Sequence, residues 1–128
     1  MADTGMPFSE LMGVEITERS KERVRGRMIV RADLCTAGGI LHGGAYMAFA
    51  DTLGAMGGVM NLAPGAGTTT LESKTNFLGS APVGSVVEGE TTPLHVGRRS
   101  SVWQTRVTNT DGKLLALVIQ TQMTLLPG

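Results

Sequence analysis

The stretch GGILHGGAYMAFADTLGAMGGVMNLAPG, residues 38–65, carries one full charge, Asp51, when His42 is neutral. Small and apolar residues fall on every side of a helical wheel drawn through it. Such a helix has no face suited to bulk water and must be surrounded. A membrane span is the rival reading. It would set Asp51 near the bilayer centre at a cost of about 2.5–3.5 kcal/mol, and its glycines would weaken the span further. The stretch therefore predicts a helix buried in protein, and the rest of the chain has to supply the shell.

The flanking sequence has the periodicity for that task. PFSELMG, with Pro7 in the first turn and Gly13 as a stop, predicts a short helical turn. VEITERS and VRGRMIVR alternate. The second places Val24, Met28 and Val30 on one face and Arg23, Arg25, Arg27 and Arg31 on the other, so the pair predicts a hairpin turning at Ser20–Glu22 with a solvated arginine face. After the helix, TTTLESKTNFLGS, SVVEGETTPLHV, RSSVWQTRVTN and KLLALVIQTQMTLL are rich in Val, Thr and Leu, and NTDGK is the strongest hairpin signal. The expectation is an α+β fold, an antiparallel sheet of about six strands with the last four in succession, wrapped around one long central helix. With 128 residues the chain predicts a single domain over 1–128. A sheet curled around a helix leaves the helix's remaining side for another subunit, which predicts an oligomer.

Charge and cysteine usage narrow the partners. Eleven Lys and Arg balance eleven Asp and Glu, so there is no basic excess for nucleic acid or anionic membrane, and any anionic partner must be held locally. Cys35 is the single cysteine and cannot form an intrachain disulfide. The start MADTGMPFSE has neither the basic residues nor the apolar run of a signal peptide, so the expected compartment is the cytoplasm.

Burial disfavours the charged form of a lone carboxylate unless hydrogen bonds or helix ends offset it, so Asp51 is either tolerated as a structural acid or used. Used, it suits attack on an activated acyl group as nucleophile, or activation of water as general base. Upstream, LHGGAY opens the helix with Gly43 and Gly44, whose uncovered N–H groups and helix dipole suit a developing oxyanion. Asp51 lies eight residues beyond Gly43, about 12 Å along one helix, too far for both to hold one carbonyl. Two such helices packed antiparallel across a dimer would bring Gly43 of one chain to the level of Asp51 of the other.

LHGGAYMAFADTLGA, preceded by a strand pair and followed by NFL, resembles the hotdog-fold acyl-CoA thioesterases of the phenylacetate-degradation type, which include one class of 4-hydroxybenzoyl-CoA thioesterase. The likeness extends over about residues 10–126, and its specificity lies in His-Gly-Gly with an acid nine residues after the His. It implies dimers paired into tetramers and hydrolysis of an acyl-CoA thioester without metal or organic cofactor, coenzyme A entering only as part of the substrate. By position, Asp51 matches the family's catalytic acid, Gly43 the backbone N–H that polarises the thioester carbonyl, and His42 a positioning histidine at the helix start. Thr36 falls where relatives often carry Asn or Gln to orient substrate or water. Either its role shifts or Thr70, where relatives often have a hydroxyl, supplies it. Arg98 and Arg99 sit in a turn that in relatives borders the CoA nucleotide. The Arg-Pro pair that many relatives carry after the NFL-like segment is replaced here by NFLGSAPVG.

Two other classes remain beside the thioesterase. One is a hydratase or dehydratase on the same fold, which pairs a His with an acid in differently placed motifs. The other is a non-catalytic acyl-CoA or ligand-binding protein. A Cys35–His42 thiol–imidazole pair has nothing to fix its geometry. The glycines at 54, 57 and 58 suit close helix packing and lack the pattern of a phosphate loop.

Overall fold

Each alternating stretch of sequence forms a strand in the computed structural model, which describes residues 4–127. In chain order the elements are α1 (Pro7–Met12), β1 (Glu15–Arg19), β2 (Val24–Ile29), a 3-10 turn (Ala32–Leu34), α2 (Gly43–Met60), β3 (Gly67–Phe77), β4 (Val86–Val96), β5 (Ser100–Asn109) and β6 (Leu114–Leu125). Pro7 opens α1, and Gly13 ends it in the left-handed conformation at φ 81°, a cap that glycine adopts without Cβ strain. The β1–β2 hairpin turns at Ser20–Glu22. Val24, Met28 and Val30 point inward and are fully or almost fully buried. The arginines opposite them are more than solvated. Arg23, Arg25 and Arg27 pair with Glu18, Glu90 and Glu15 across neighbouring strands. The hydrogen bond to Glu90, helped by nearby glutamate charges, holds the Arg25 guanidinium above its ordinary pKa. Opposite charges facing across strands favour this register.

All six strands form one antiparallel sheet in the order β1-β2-β4-β5-β6-β3. The expected succession of the last four strands holds for β4, β5 and β6 only. β3 pairs with β6 at the far edge instead of with β4. The connections explain the difference. β5 and β6 are joined by a tight turn in which Gly112 takes φ 85° and Asn109 Oδ1 accepts from the N–H groups of Asp111 and Lys113 at 2.9 and 3.0 Å. Residues 78–85 instead run across the end of the sheet, stitched down by Leu78 N–H to Leu115 O, Leu41 N–H to Ala81 O and Gly84 N–H to Val30 O. That path carries the chain past β6 and β5 to β4.

The sheet curls around α2. Phe49 and Leu53 are fully buried with Val87, Val107, Leu115 and Val118, each such side chain contributing about 1.5–3 kcal/mol of burial. The helix lies very close to the strands. A Cβ at Gly57 would come within 2.8 Å of the Trp103 ring, and one at Gly89 within 2.5 Å of Leu53, so glycine at these points sets the helix–sheet distance. Cover is not complete. Gly43, Met47, Asp51, Ala55 and Val59, spaced four apart on one stripe, keep partial or full exposure, and beside them β3 is an edge strand with Leu71 60% exposed. Among the described residues no helix is long and apolar enough to cross a membrane.

Candidate functional site

His42 occupies the N-cap of α2, and its Nδ1 accepts from the Gly44 N–H at 2.8 Å. A ring nitrogen that accepts carries no proton, so in the neutral ring the proton is on Nε2. This commits the Gly44 donor to the cap, whereas two free glycine N–H groups were expected. The Gly43 N–H has no acceptor among the described residues and lies at the positive end of an 18-residue helix. Phe77 closes one side, its ring 3.2 Å from where a Gly43 Cβ would stand. Tyr46 meets Phe77 edge-to-face at 6.0 Å, and burial pushes the Tyr46 phenol pKa up. The structure thus splits the two glycines between a cap and an open donor.

Two turns along α2, Asp51 is held by side chains from two strands. Its Oδ1 accepts from Thr70 Oγ1 on β3 at 2.7 Å and from Gln120 Nε2 on β6 at 3.1 Å. Thr70 in turn accepts from Gln122 Nε2 at 2.7 Å, and Gln122 Oε1 accepts from Thr68 at 3.0 Å. Gln120 and Gln122 are 0% and 1% exposed. Acceptors on a carboxylate and donors around it match in chemistry, which is how an acid persists beside a largely apolar helix. Oδ2 receives no hydrogen bond from the described residues. Thr70, expected as one of two candidates for an orienting hydroxyl, lies within hydrogen-bond distance of Asp51. The glutamines were missed. Their alternation in VIQTQM was visible, but two polar residues at period two look like a solvent face, and nothing local says that β6 turns them toward α2.

The remaining expected residues are more scattered. Thr36 is exposed and its hydroxyl accepts from Gly38 N–H at 3.2 Å within its own turn. Arg98 and Arg99 are exposed in the β4–β5 turn, with no ion pair to any described residue, and the Arg99 carbonyl accepts from Thr124 N–H at 2.9 Å. Strand register places that turn at the sheet end where Ser100 faces Met123 and Met123 faces Thr69, the end nearest Thr70. A pocket of about 410 Å³ opens between α1 and the first turns of α2, lined by Phe8, Leu11, Met12, Leu34, Ala48 and His42 among others. It is mostly apolar and of ligand size. Cys35 borders it with its thiol on the Arg31 carbonyl at 3.2 Å and makes no contact with His42 that would activate either. Among the described residues no group of three His, Cys, Asp or Glu is placed to hold a metal ion.

Known proteins are similar to this chain in sequence and in fold. The Thioesterase superfamily profile matches residues 38–116. A proofreading thioesterase, EntH, of Klebsiella pneumoniae is 35% identical over 103 residues, covering 80% of this chain and 74% of that protein. A 1,4-dihydroxy-2-naphthoyl-CoA hydrolase of Listeria monocytogenes is 27% identical over 112 residues, covering 88% and 90%. Among solved structures, a thioesterase of Haemophilus influenzae superposes with a TM-score of 0.85 at 28% identity, covering 92% of this chain and 82% of that one. A mutant thioesterase of Pseudomonas aeruginosa superposes with a TM-score of 0.87 at 25% identity, covering 92% and 85%. The six-stranded sheet around one helix is the hotdog fold, thioester hydrolysis is the activity these relatives support, and the chain belongs to the Thioesterase superfamily.

Proposed function

We propose that the protein is a homo-oligomeric acyl-CoA thioesterase whose active site is completed across a dimer interface. The observation that carries this reading is the pairing, on one open stripe of α2, of an unsatisfied Gly43 N–H and a hydrogen-bonded but accessible Asp51 carboxylate. About 12 Å of helix separates them in one chain. Two stripes packed antiparallel bring each Gly43 opposite the partner's acid, and the long β3 edge beside the stripe offers unpaired backbone groups for the same contact. Pairs of such dimers give the tetramer that the resemblance implies.

The Gly43 N–H of one chain polarises the thioester carbonyl and receives the oxyanion as it forms. Asp51 of the other chain either takes a proton from the attacking water or attacks the carbonyl carbon itself, giving a mixed anhydride that water then opens. In both routes the C–S bond breaks, coenzyme A leaves as thiolate and gains a proton, and the acid is released. Neither route calls on a metal or organic cofactor. His42 holds the helix start, and the apolar pocket beside it is of a size for the acyl group. Arg98 and Arg99 supply cations for the CoA phosphates. The named substrate of the Listeria relative is an aroyl-CoA, which supports an aroyl group here and fits the phenylacetate-degradation kinship. Thr70, which donates to the acid, takes the orienting role in place of Thr36, whose hydroxyl is engaged within its own turn.

The test is thiol release from a panel of acyl- and aroyl-CoAs by the native chain and by Asp51→Asn. The reading expects turnover by the native chain and a loss of at least about 10³-fold in the variant. Binding of CoA esters with no thiol release would replace it with the non-catalytic binder, and hydration of enoyl-CoA with the hydratase.

A further inference from the structure

We propose that Gln120 is a positioning residue for Asp51, seated by the absent side chain of Gly54, and that it fixes Oδ1 so that Oδ2 is the reacting oxygen. The role rests on the thioesterase reading above; the contact itself does not.

Three features of the geometry lead to this. First, both donors to the carboxylate land on the same oxygen, Thr70 from β3 and Gln120 from β6. Two anchors from different strands fix the carboxylate plane, and Oδ2 keeps both its lone pairs for chemistry. Second, the Gln120 amide occupies the volume in which a Gly54 Cβ would stand, overlapping it outright. Only glycine at this turn of α2 lets the amide lie against the helix and reach one turn back to Asp51. Third, Gln120 is an expensive choice for a core position. It is 0% exposed, and its Oε1 has no hydrogen-bond partner among the described residues. A buried acceptor without a partner destabilises, and an apolar side chain of similar volume would not. The amide orientation is set by chemistry, since only the NH2 group can donate to a carboxylate. A residue that weakens the core while gripping a candidate catalytic acid is what a trade of stability for function looks like. Thr70 could not do this alone, because a single hydroxyl leaves the carboxylate free to rotate about that bond.

The experiment combines kinetics, stability and side-chain NMR on the native chain, Gln120→Met, Gly54→Ala and the double variant. Gln120→Met keeps volume and removes the donor. The proposal expects kcat to fall about 10- to 100-fold with KM within about threefold, while Tm stays level or rises. Gly54→Ala expels the amide from its seat and should lower kcat similarly, and the double variant should lose no more than the worse single one. In the native chain the Gln120 side-chain amide resonances should move on Asp51→Asn. A kcat for Gln120→Met within about threefold of native, a lowered Tm with kcat intact, multiplying losses in the double variant, or unmoved amide resonances would each overturn the proposal. If Asp51→Asn turns over normally, the catalytic role of Asp51 in that reading falls instead, and the resonances still decide whether Gln120 holds the acid.

Discussion

Thr70 Oγ1 donates to Asp51 Oδ1 at 2.7 Å while accepting from Gln122 Nε2 at the same distance, so one hydroxyl links the acid on α2 to the buried amide on β6. A hydroxyl with both roles filled cannot be replaced by its isostere without cost. Thr70→Val should leave the Gln122 amide without its acceptor and lower stability by about 1–3 kcal/mol. Thiol release should fall by roughly tenfold with it. Urea unfolding and steady-state kinetics measure the two effects, and a fully stable, fully active Thr70→Val would show that the chain of bonds from Thr68 to Asp51 is not used.

The closeness of α2 to the sheet gives a second prediction. Trp103, the single tryptophan, is fully buried, donates from its ring to Ser101 Oγ at 2.8 Å, and lies against Gly57. Gly57→Val drives a branched side chain into that ring. Stability should drop by about 1–3 kcal/mol, and Trp103 emission should shift as the ring is displaced. Unchanged emission and stability would mean that the helix can back away at no cost.

The Arg98–Arg99 turn gives a third. Arg98→Ala with Arg99→Ala should raise KM for CoA esters about tenfold, with less effect at high salt, because the contact is between exposed charges. A thioester of N-acetylcysteamine has no phosphate and should be hydrolysed equally well by both proteins. Equal loss on both substrates would place the arginines outside the nucleotide contact.

Much of this was legible in the sequence, and unevenly so for physical reasons. Asp51 stands out because a charge in an apolar, glycine-rich helix has to be satisfied by something, and the hairpins at residues 20–22 and 109–113 announce themselves through local turn chemistry. The edge position of β3 was not legible. Its pairing with β6 depends on how residues 78–85 cross the sheet, through long-range backbone bonds that leave no local pattern. Gln120 and Gln122 were hidden for a related reason, since the inward face of β6 is decided by its neighbours. Likewise, Gly43 and Gly44 look equivalent in LHGGAY until the His42 ring turns onto one of them.

The central claim is that Gly43 of one chain and Asp51 of another serve a single site, and subunit mixing tests it most directly. Gly43→Pro removes the N–H at a first-turn position where proline is tolerated, and His42 before it already has φ −64° and ψ 139°, a conformation that precedes proline without strain. Gly43→Pro and Asp51→Asn should each be inactive alone. Refolded together at equal amounts, they should recover about a quarter of native thiol release, because half the dimers are mixed and each mixed dimer holds one intact site of two. Activity that stays at the level of the inactive parents, with mixed dimers shown by native mass spectrometry, would contradict the account.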